Sequence, residues 1–330
     1  MPMKHGGDLT QAMAEFGGAP DHWLDLSTGI NPWPWPIPTN LPRHLWERLP
    51  ARADERLLLS AARSAYHVPD NVNVVAAAGT QSLIQWLPHL ATPGAVAIVG
   101  PTYNEHVAAW RAGGHEVGVI GSLSALPDHA KHVVIVNPNN PDGRVATRDE
   151  LADVAAILQR RGGWLVIDEA FADVDPAISA VDLCATLPVV ILRSFGKFYG
   201  LAGLRLGFAL AAPLIAQRIA AAIGPWACSG PALFIGAAAL HDELWASRAR
   251  VALVAQAIKL DKALSDAGFE IVGGTPLYRL ARHADALKWH AALARQQIWC
   301  RRFDWSHELL RFGLPPDAAA LSRLASALAK

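Results

Sequence analysis

One stretch decides the fold, and it reads Arg193-Ser194-Phe195-Gly196-Lys197-Phe198-Tyr199-Gly200-Leu201-Ala202-Gly203-Leu204-Arg205-Leu206-Gly207. The four residues before it, 189–192, are apolar and mostly β-branched, as in a buried parallel strand. Ligands of open α/β sheets bind at the carboxyl ends of strands, so Lys197 is expected at a ligand site. A desolvated lysine near a second cation has its ammonium form disfavoured, which frees the amine as a nucleophile. Lys197 is therefore expected to form an imine with an aldehyde cofactor whose phosphate Ser194 and Arg205 hold; the alternative is a surface lysine beside a flexible loop.

A second apolar run ends in a carboxylate, in the sequence Gly163-Trp164-Leu165-Val166-Ile167-Asp168-Glu169-Ala170-Phe171. An aspartate at this strand end can pair with a protonated pyridine nitrogen, with a Coulomb energy of about 4 kcal/mol at 4 Å and an effective dielectric near 20. That pairing keeps the ring an electron sink. Because Asp173 and Asp175 lie close by, an acidic turn or a metal site also remains open.

Two further segments have the form of a strand followed by polar residues. A β-branched run at 133–136 leads into Asn137-Pro138-Asn139-Asn140-Pro141-Asp142-Gly143, where an asparagine amide could donate to a phenolate oxygen. A plain turn fits the same residues, since Asn-Pro and Asp-Gly are common turn dipeptides. The run at 72–78 leads into Gly79-Thr80-Gln81-Ser82 and a helical pattern. That arrangement offers free backbone N–H groups to a phosphate, or a simple helix cap at Thr80.

Together these motifs resemble the class I/II aminotransferase family of pyridoxal-phosphate enzymes, and the resemblance spans nearly the full length. It implies fold type I, a covalent role for Lys197, phosphate binding by Arg205 eight positions later, and pairing of Asp168 with the ring nitrogen. It also implies that Asn140 donates to the phenolate oxygen and that Tyr103 stacks on the ring. The cofactor-binding residues implied are Gly79, Thr80, Gln81, Tyr103, Asn140, Asp168, Ser194, Lys197 and Arg205.

Within that family, Lys197-Phe198-Tyr199 and the opening His5-Gly6-Gly7 resemble the threonine-phosphate decarboxylase branch. The resemblance implies decarboxylation of O-phospho-L-threonine to (R)-1-amino-2-propanol phosphate, a step of cobalamin biosynthesis. The first alternative is a class II aminotransferase of the histidinol-phosphate type, which acts on a phosphorylated amino substrate. A non-catalytic regulator that binds pyridoxal phosphate is a third reading, but the chain has no basic face for DNA.

The resemblance also extends to residues that would bind the substrate. It implies that His5 and Asn31 face the substrate phosphate, that Arg301 meets this phosphate, and that Arg311 holds the α-carboxylate through a planar guanidinium. For either arginine the alternative is an ordinary surface cation. The implied substrate-binding residues are His5, Gly29, Asn31, Arg301 and Arg311.

The chain departs from the family pattern at three positions. Phe171 stands where many relatives have a tyrosine that donates to the cofactor oxygen, so Asn140 would act there alone. Gly196 replaces a frequent phosphate-binding hydroxyl, and Leu49 falls where a partner-subunit tyrosine often reaches the phosphate. These departures predict weaker cofactor binding than in better-matched relatives.

Composition limits the remaining function classes. The 330 residues carry 29 basic and 29 acidic side chains, so no electrostatic footprint for nucleic acid or an anionic membrane exists. The three scattered cysteines form neither a disulfide framework nor a zinc motif, and no metal is expected. The N-terminus has no apolar signal segment, which favours a cytoplasmic protein. The expected partners are a small phosphorylated amino acid and, by family resemblance, a second copy in a homodimer.

Strand and helix patterns alternate from about residue 53 to 224, which predicts an α/β fold with a doubly wound, mostly parallel sheet. We expect this sheet in a large cofactor-binding domain at 46–225 and a smaller α+β domain at 226–330. Residues 1–45 are expected to join the small domain and the active site. Capping-box spacing at Thr147 and Glu150 predicts a helix that stops at 162–163, and Pro213 predicts the start of another that ends at 224.

Overall fold

The structure is a computed structural model that describes residues 6–329. The strands are β1 (Leu24–Leu26), β2 (Asn73–Ala77), β3 (Ala95–Val99), β4 (Val117–Ile120), β5 (Ala130–Val136), β6 (Leu165–Asp168), β7 (Val189–Ser194), β8 (Gly207–Ala211), β9 (Glu270–Thr275), β10 (Tyr278–Arg282), β11 (Ile298–Phe303) and β12 (Ser306–Gly313). The α-helices are α1 (Thr10–Phe16), α2 (His44–Glu47), α3 (Arg52–Ala65), α4 (Thr80–Leu90), α5 (Glu105–Ala112), α6 (Arg148–Arg160), α7 (Phe195–Phe198), α8 (Pro213–Ile223), α9 (Gly230–His241), α10 (Glu243–Asp266), α11 (Ala286–Arg295) and α12 (Ala318–Leu328).

The described residues divide into two compact units. The larger unit comprises residues 35–140 and 144–246, and the smaller unit comprises residues 6–34, 141–143 and 247–329. The sequence analysis placed the corresponding boundaries at 45/46 and 225/226. Helix α9 falls in the larger unit because it packs against α3 of the same unit.

The larger unit is built on a seven-stranded sheet in the order β2-β8-β7-β6-β5-β3-β4. All neighbouring strands from β7 to β4 are parallel, whereas β8 runs antiparallel to both β7 and β2. The central strands are buried, as expected for apolar runs covered on both faces. The predicted α/β fold with a doubly wound, mostly parallel sheet is confirmed. Its core includes fully buried side chains from strands and helices, among them Leu83, Ile98, Trp110, Val166 and Leu192.

Local sequence signals account for the ends of two helices in this unit. The Thr147 Oγ1 accepts a hydrogen bond from the Glu150 N–H (3.3 Å), and the Glu150 Oε2 accepts one from the Thr147 N–H (2.8 Å). This reciprocal pair satisfies two otherwise unpaired donors at the start of α6. Helix α8 begins at Pro213 and is followed by Gly224 with φ 77°. Both helices therefore begin and end where the sequence predicts.

The smaller unit contains a five-stranded sheet in the order β1-β11-β12-β10-β9. Strand β1 is parallel to β11, and the other neighbours are antiparallel. The pairing brings a strand from the start of the chain, Leu24–Leu26, beside strands from its end. Among residues 6–329, no helix combines the length and the apolar character needed to cross a bilayer.

Candidate active site

A cavity of about 140 Å³ opens in the larger unit where β5, β6 and β7 end. We call it the Lys197 cavity. Ligand sites of doubly wound sheets lie at this edge because the connections that follow parallel strands meet there. Every cofactor residue expected from the sequence, apart from Gly79, lines it. The lining residues are Thr80, Gln81, Tyr103, Val136, Asn140, Asp168, Ala170, Phe171, Ser194, Lys197 and Arg205.

Asp168, the last residue of β6, is buried and held by three separate groups. Its Oδ2 lies 3.0 Å from the His106 Nε2, and its Oδ1 accepts a hydrogen bond from the Ala170 N–H (3.1 Å). Its backbone oxygen accepts a hydrogen bond from the Asn137 N–H at 2.8 Å. An ionised carboxylate can only accept, and in that state of Asp168 the His106 Nε2 carries the hydrogen of this pair. The carboxylate is therefore fixed in orientation.

The sequence analysis did not identify His106. This residue lies in the first turn of α5 and is 1% exposed, and its ring meets the Tyr103 ring edge to face at 6.2 Å between centroids. The only available signal was the spacing of three residues from Tyr103, which does not by itself indicate a carboxylate partner. A strand-end motif cannot reveal it, since His106 comes from a helix.

Lys197 lies on the short helix α7, directly after β7. Its Nζ is 5.8 Å from the centroid of the buried Phe171 ring. The neighbouring Tyr199 stacks on Phe195 at 4.5 Å and on Trp245 at 5.5 Å. This aromatic stack fixes the turn that carries the lysine, because offset ring packing restricts both rings and the backbone between them.

Gly196, one of the departures from the family pattern, has a structural cause. A Cβ at this position would lie 2.6 Å from the Ala202 Cα, well inside van der Waals contact. The backbone of α7 thus lies directly against the following turn. A serine or threonine side chain does not fit there without movement of the backbone.

Several hydrogen-bond donors line the Lys197 cavity around Arg205. Helix α4 begins at Thr80, so its first N–H groups have no partners within the helix and carry the positive end of its dipole. Arg205, in a left-handed conformation with φ 54°, lies so close that a Cβ on Gly79 would be 2.7 Å from its Nη2. Ser194 pairs in register with Gly207, two residues beyond Arg205. A hydroxyl, a guanidinium and a helix N-terminus are the donors that a phosphate requires.

Tyr103 and Gln81 are joined by hydrogen bonds. The Tyr103 hydroxyl donates to the Gln81 Oε1 at 3.2 Å, and the Gln81 Nε2 donates to the Glu105 Oε2 at 2.8 Å. This chain of hydrogen bonds fixes the tilt of the Tyr103 ring in the cavity. The Gln81 side chain therefore positions the tyrosine, while its backbone remains part of the first turn of α4.

The two adjacent asparagines have different surroundings. The Asn139 Oδ1 accepts from the Thr102 Oγ1 (2.7 Å) and its Nδ2 donates to the Pro101 oxygen (3.0 Å), so Asn139 joins the loops after β3 and β5. Asn140 instead lines the Lys197 cavity. Of the two, Asn140 is the one that lines the cavity, and its role toward a cofactor oxygen stays a prediction.

A buried ion network beside the cavity was also missed. The Arg193 guanidinium donates to the Glu169 Oε2 (2.7 Å) and the Asp173 Oδ1 (2.5 Å), and it lies 4.4 Å above the Tyr66 ring. Burial works to lower the pKa of Arg193, but Asp173 and Glu169 outweigh it and raise that pKa above its ordinary value. Burial raises the pKa of Glu169, against the effect of Arg193. The network ties the turn after Asp168 to β7, and it pairs both Glu169 and Asp173 with Arg193.

The smaller unit contains the expected arginines. Arg301 of β11 pairs in register with Arg311 of β12, and we call these two residues the arginine pair. Arg311 is buried, its Nη2 donates to the Ser27 backbone oxygen at 2.7 Å, and its guanidinium lies 5.1 Å from the Tyr278 ring centroid. Burial and the nearby Arg301 lower the pKa of Arg311 to about 10, although Tyr278 and Asp25 oppose this. Arg311 is therefore not an ordinary surface cation.

The other residues expected to bind the substrate are Gly29 and Asn31, which follow β1, and His5, which precedes it in the sequence. Gly29 and Asn31 are buried, and the Asn31 Oδ1 accepts a hydrogen bond from the Trp33 N–H at 2.9 Å. His5 lies outside the described residues.

The sequence profile described as "Aminotransferase class I and II" matches residues 54–328. Threonine-phosphate decarboxylases from Sinorhizobium sp and Pseudomonas aeruginosa are 42% and 41% identical to this chain, covering 100% and 99% of it and 98% and 97% of their own lengths. A histidinol-phosphate aminotransferase from Pectobacterium atrosepticum is 32% identical over 74% of this chain and 71% of its own.

Solved structures bear on the fold alone. The histidinol-phosphate aminotransferase from Sinorhizobium meliloti, solved in complex with pyridoxal-5'-phosphate, is similar with a TM-score of 0.82 at 18% identity, covering 99% of this chain and 94% of its own. The profile match and the full-length relatives confirm the family resemblance noted in the sequence. The chain belongs to the aminotransferase class I and II family.

Proposed function

We propose that this chain is a pyridoxal-phosphate-dependent decarboxylase that converts O-phospho-L-threonine to (R)-1-amino-2-propanol phosphate and CO2, as a step of cobalamin biosynthesis. The observation that carries this proposal is the identity of 41–42% to two threonine-phosphate decarboxylases over nearly the whole of both chains. The Lys197 cavity supports it with a set of side chains suited to that cofactor.

The donors in the Lys197 cavity fit pyridoxal phosphate. Arg205, Ser194 and the first N–H groups of α4 suit a dianionic phosphate. Arg205 approaches Gly79 so closely that any side chain at position 79 would collide with the guanidinium. The carboxylate of Asp168, oriented by His106, suits a protonated ring nitrogen. Asn140 offers an amide donor for the phenolate oxygen, and Tyr103 offers a ring face for stacking.

The proposed chemistry assigns each residue one task. Bound in this cavity, pyridoxal phosphate would supply an electron sink for the electron pair left on the substrate Cα when CO2 departs. Lys197 is the amine that holds the cofactor, and its Nζ delivers the proton that Cα gains in place of the carboxylate. Asp168 keeps the ring nitrogen protonated. The arginine pair and Asn31 bind the anionic groups of the substrate, with Arg311 on the α-carboxylate.

A histidinol-phosphate type of aminotransferase is the second candidate. The observation that favours it is the 32% identity to the histidinol-phosphate aminotransferase from Pectobacterium atrosepticum over 74% of this chain. In that reaction Lys197 would move a proton from Cα instead of replacing CO2 with one. The cavity contains the residues that both reactions use, so the lower identity and coverage of the aminotransferase relative decide for the decarboxylase.

A direct assay separates the two candidates. The purified protein is incubated with pyridoxal phosphate and O-phospho-L-threonine, and CO2 and amine are measured without any keto acid. We expect equal amounts of CO2 and 1-amino-2-propanol phosphate. Turnover of L-histidinol phosphate that requires 2-oxoglutarate, with no CO2 from phosphothreonine, would transfer the assignment to the aminotransferase.

We also propose that the enzyme is a homodimer. The support is that the larger unit has large apolar side chains that are each more than 40% exposed, among them Trp46, Leu49, Leu57, Trp226 and Phe234. Apolar surface of this kind is typical of protein interfaces. Light scattering after gel filtration is expected to give twice the mass of 35.3 kDa, and a monomer at micromolar concentration would refute the dimer. A cytoplasmic location stays a prediction.

A further inference from the structure

A turn formed by Asp25, Leu26 and Ser27 connects two regions of the smaller unit. The Asp25 Oδ1 accepts hydrogen bonds from both the Ser27 N–H (2.8 Å) and the Ser27 Oγ (2.6 Å). Ser27 is fully buried and follows β1 directly. Since Asp25 receives two donors from one residue, it fixes both the backbone and the hydroxyl of Ser27.

Ser27 in turn accepts from two partners that are far apart in the sequence. Its Oγ accepts a hydrogen bond from the Gly7 N–H (2.9 Å), and its backbone oxygen accepts one from the Arg311 Nη2 (2.7 Å). The Ser27 hydroxyl hydrogen points to Asp25, so its lone pairs remain available for the Gly7 N–H. One residue therefore anchors both the N-terminal segment and the arginine.

Gly6 explains why this anchor is tightly packed. A Cβ at Gly6 would lie 2.4 Å from the Ser27 backbone oxygen, which is the atom that accepts from Arg311. At Gly7 the backbone has φ 88°, which favours glycine. The Gly6-Gly7 backbone and the Arg311 guanidinium thus meet at the same carbonyl group.

The two neighbouring cations Arg301 and Arg311 would be stabilised by a nearby acidic side chain. Arg311 is buried beside a second arginine, Arg301, across the β11–β12 pair. A buried cation near a like charge is costly unless an anion offsets it. Tyr278 and, to a smaller extent, the Asp25 carboxylate raise the pKa of Arg311 against the effects of burial and Arg301.

We infer that Asp25 is a positioning residue for Arg311, acting through Ser27, and that the same contact holds the Gly6-Gly7 segment in place. The inference rests on the proposed function in one respect, the assignment of the substrate α-carboxylate to Arg311. Asp25 does not touch the substrate in this scheme. It sets the carbonyl to which the guanidinium is bound, and so the direction in which the remaining N–H groups face.

The first test compares two ligands that differ in the carboxylate. O-phospho-L-threonine has the group, and its product 1-amino-2-propanol phosphate lacks it. For the holoenzyme with Asp25→Ala, we expect the ratio of substrate KM to product inhibition constant to rise about tenfold, which corresponds to about 1.4 kcal/mol. Ser27→Ala leaves the backbone carbonyl in place. This variant should raise the substrate KM and the product inhibition constant by similar factors, so that their ratio stays the same. Asp25→Asn, which keeps an acceptor oxygen, should give a smaller rise in the ratio.

The second test needs no turnover. Phenylglyoxal modifies accessible guanidinium groups, and peptide mapping reports the rate at Arg311 in the holoenzyme. We expect Asp25→Ala and Gly6→Ala to speed modification of Arg311 at least fivefold, since both disturb the Ser27 carbonyl. Gly118→Ala is the control, because a Cβ there meets nothing within 4 Å.

The two tests separate the two proposals. If wild-type protein releases no CO2 from phosphothreonine, the proposed function fails, while the Arg311 labelling still decides the role of Asp25. An unchanged labelling rate in Asp25→Ala would overturn the inference whatever the activity. Equal loss of substrate and product binding in Asp25→Ala, in an active enzyme, would overturn it too. Should Asp25→Ala not fold, Asp25→Asn and Gly6→Ala answer the same question.

Discussion

The Lys197 cavity and the arginine pair both contain charged side chains but are built differently. In the cavity, Asp168 and Ser194 each stand at the end of an apolar strand, and Lys197 follows within three residues. In the smaller unit, Arg311 depends on a carbonyl from the opposite end of the chain, at Ser27. Strand ends place cavity residues by topology, whereas the guanidinium of Arg311 takes its direction from a hydrogen bond to one distant carbonyl. We therefore expect the cavity to withstand changes in neighbouring residues better than the arginine pair does.

The largest expected effect is that of Lys197→Ala. Loss of the amine removes both the covalent link to the cofactor and the proton donor, so the rate of CO2 release should fall by about 10³-fold or more. Absorbance and borohydride labelling of the holoenzyme provide the measurement, and both should lose the signal of a lysine-bound cofactor. Lys288→Ala, an exposed lysine, is the control. If borohydride still fixed the cofactor to another lysine, the assignment of Lys197 as the cofactor-binding residue would be wrong.

The next largest effect is expected for His106→Leu. Asp168 would keep its charge in a buried site with one hydrogen-bond partner fewer, and it would lose its fixed orientation. We expect kcat to fall about 100-fold and the absorption band of the bound cofactor to shift. His106→Asn, whose amide can donate, should recover part of the loss, and the exposed His129→Asn should have no effect. Wild-type kcat in His106→Leu would contradict a role for this pair.

These two sites also show how far sequence reasoning reaches. Asp168 and Ser194 could be placed at the cavity because each ends an apolar run, and the topology of a parallel sheet collects such positions at one edge. Asn140 was chosen from among its neighbours by the family resemblance. His106 could not be predicted, since it reaches Asp168 from a helix 62 residues away in sequence. Arg193 lay inside the quoted stretch, but its partners Glu169 and Asp173 emerge only from the pairing of β6 with β7.

Side-chain contacts are even harder to predict from the sequence in the smaller unit. The motifs with Gly6-Gly7 and with Ser27 could be recognised as family features, but the sequence contains no sign that they meet at one carbonyl. The register of β11 with β12, which puts Arg301 opposite Arg311, follows from a tertiary arrangement that includes a bulge at 302–303. Sequence therefore proposed candidate residues in this unit, and the structure supplies the contacts that orient them.

Arg311→Lys tests the arginine pair, and its expected effect is smaller than that of His106→Leu. A lysine keeps the charge but cannot hold a carboxylate with two parallel hydrogen bonds. We expect KM for O-phospho-L-threonine to rise about 10-fold to 100-fold, with little change in the inhibition constant of 1-amino-2-propanol phosphate. Arg282→Lys, on an exposed position of β10, is the matched control. An equal rise of both constants would show that Arg311 binds the phosphate instead.

The smallest expected effect concerns Gly196→Ser, which restores the hydroxyl common in relatives. If only the missing hydroxyl limited phosphate binding, the variant should bind pyridoxal phosphate more tightly. The contact of 2.6 Å that a Cβ would make with the Ala202 Cα argues for the opposite, because the backbone of α7 must move and Lys197 moves with it. We expect a loss of about 1–3 kcal/mol in the free energy of unfolding and weaker cofactor binding. Calorimetry and titration with pyridoxal phosphate measure both, and Gly203→Ser, where a Cβ meets nothing within 4 Å, is the control. Tighter binding of pyridoxal phosphate by Gly196→Ser would mean that the backbone of α7 can move to accept a side chain. The cavity and the arginine pair would then differ only in how strongly each depends on its neighbours.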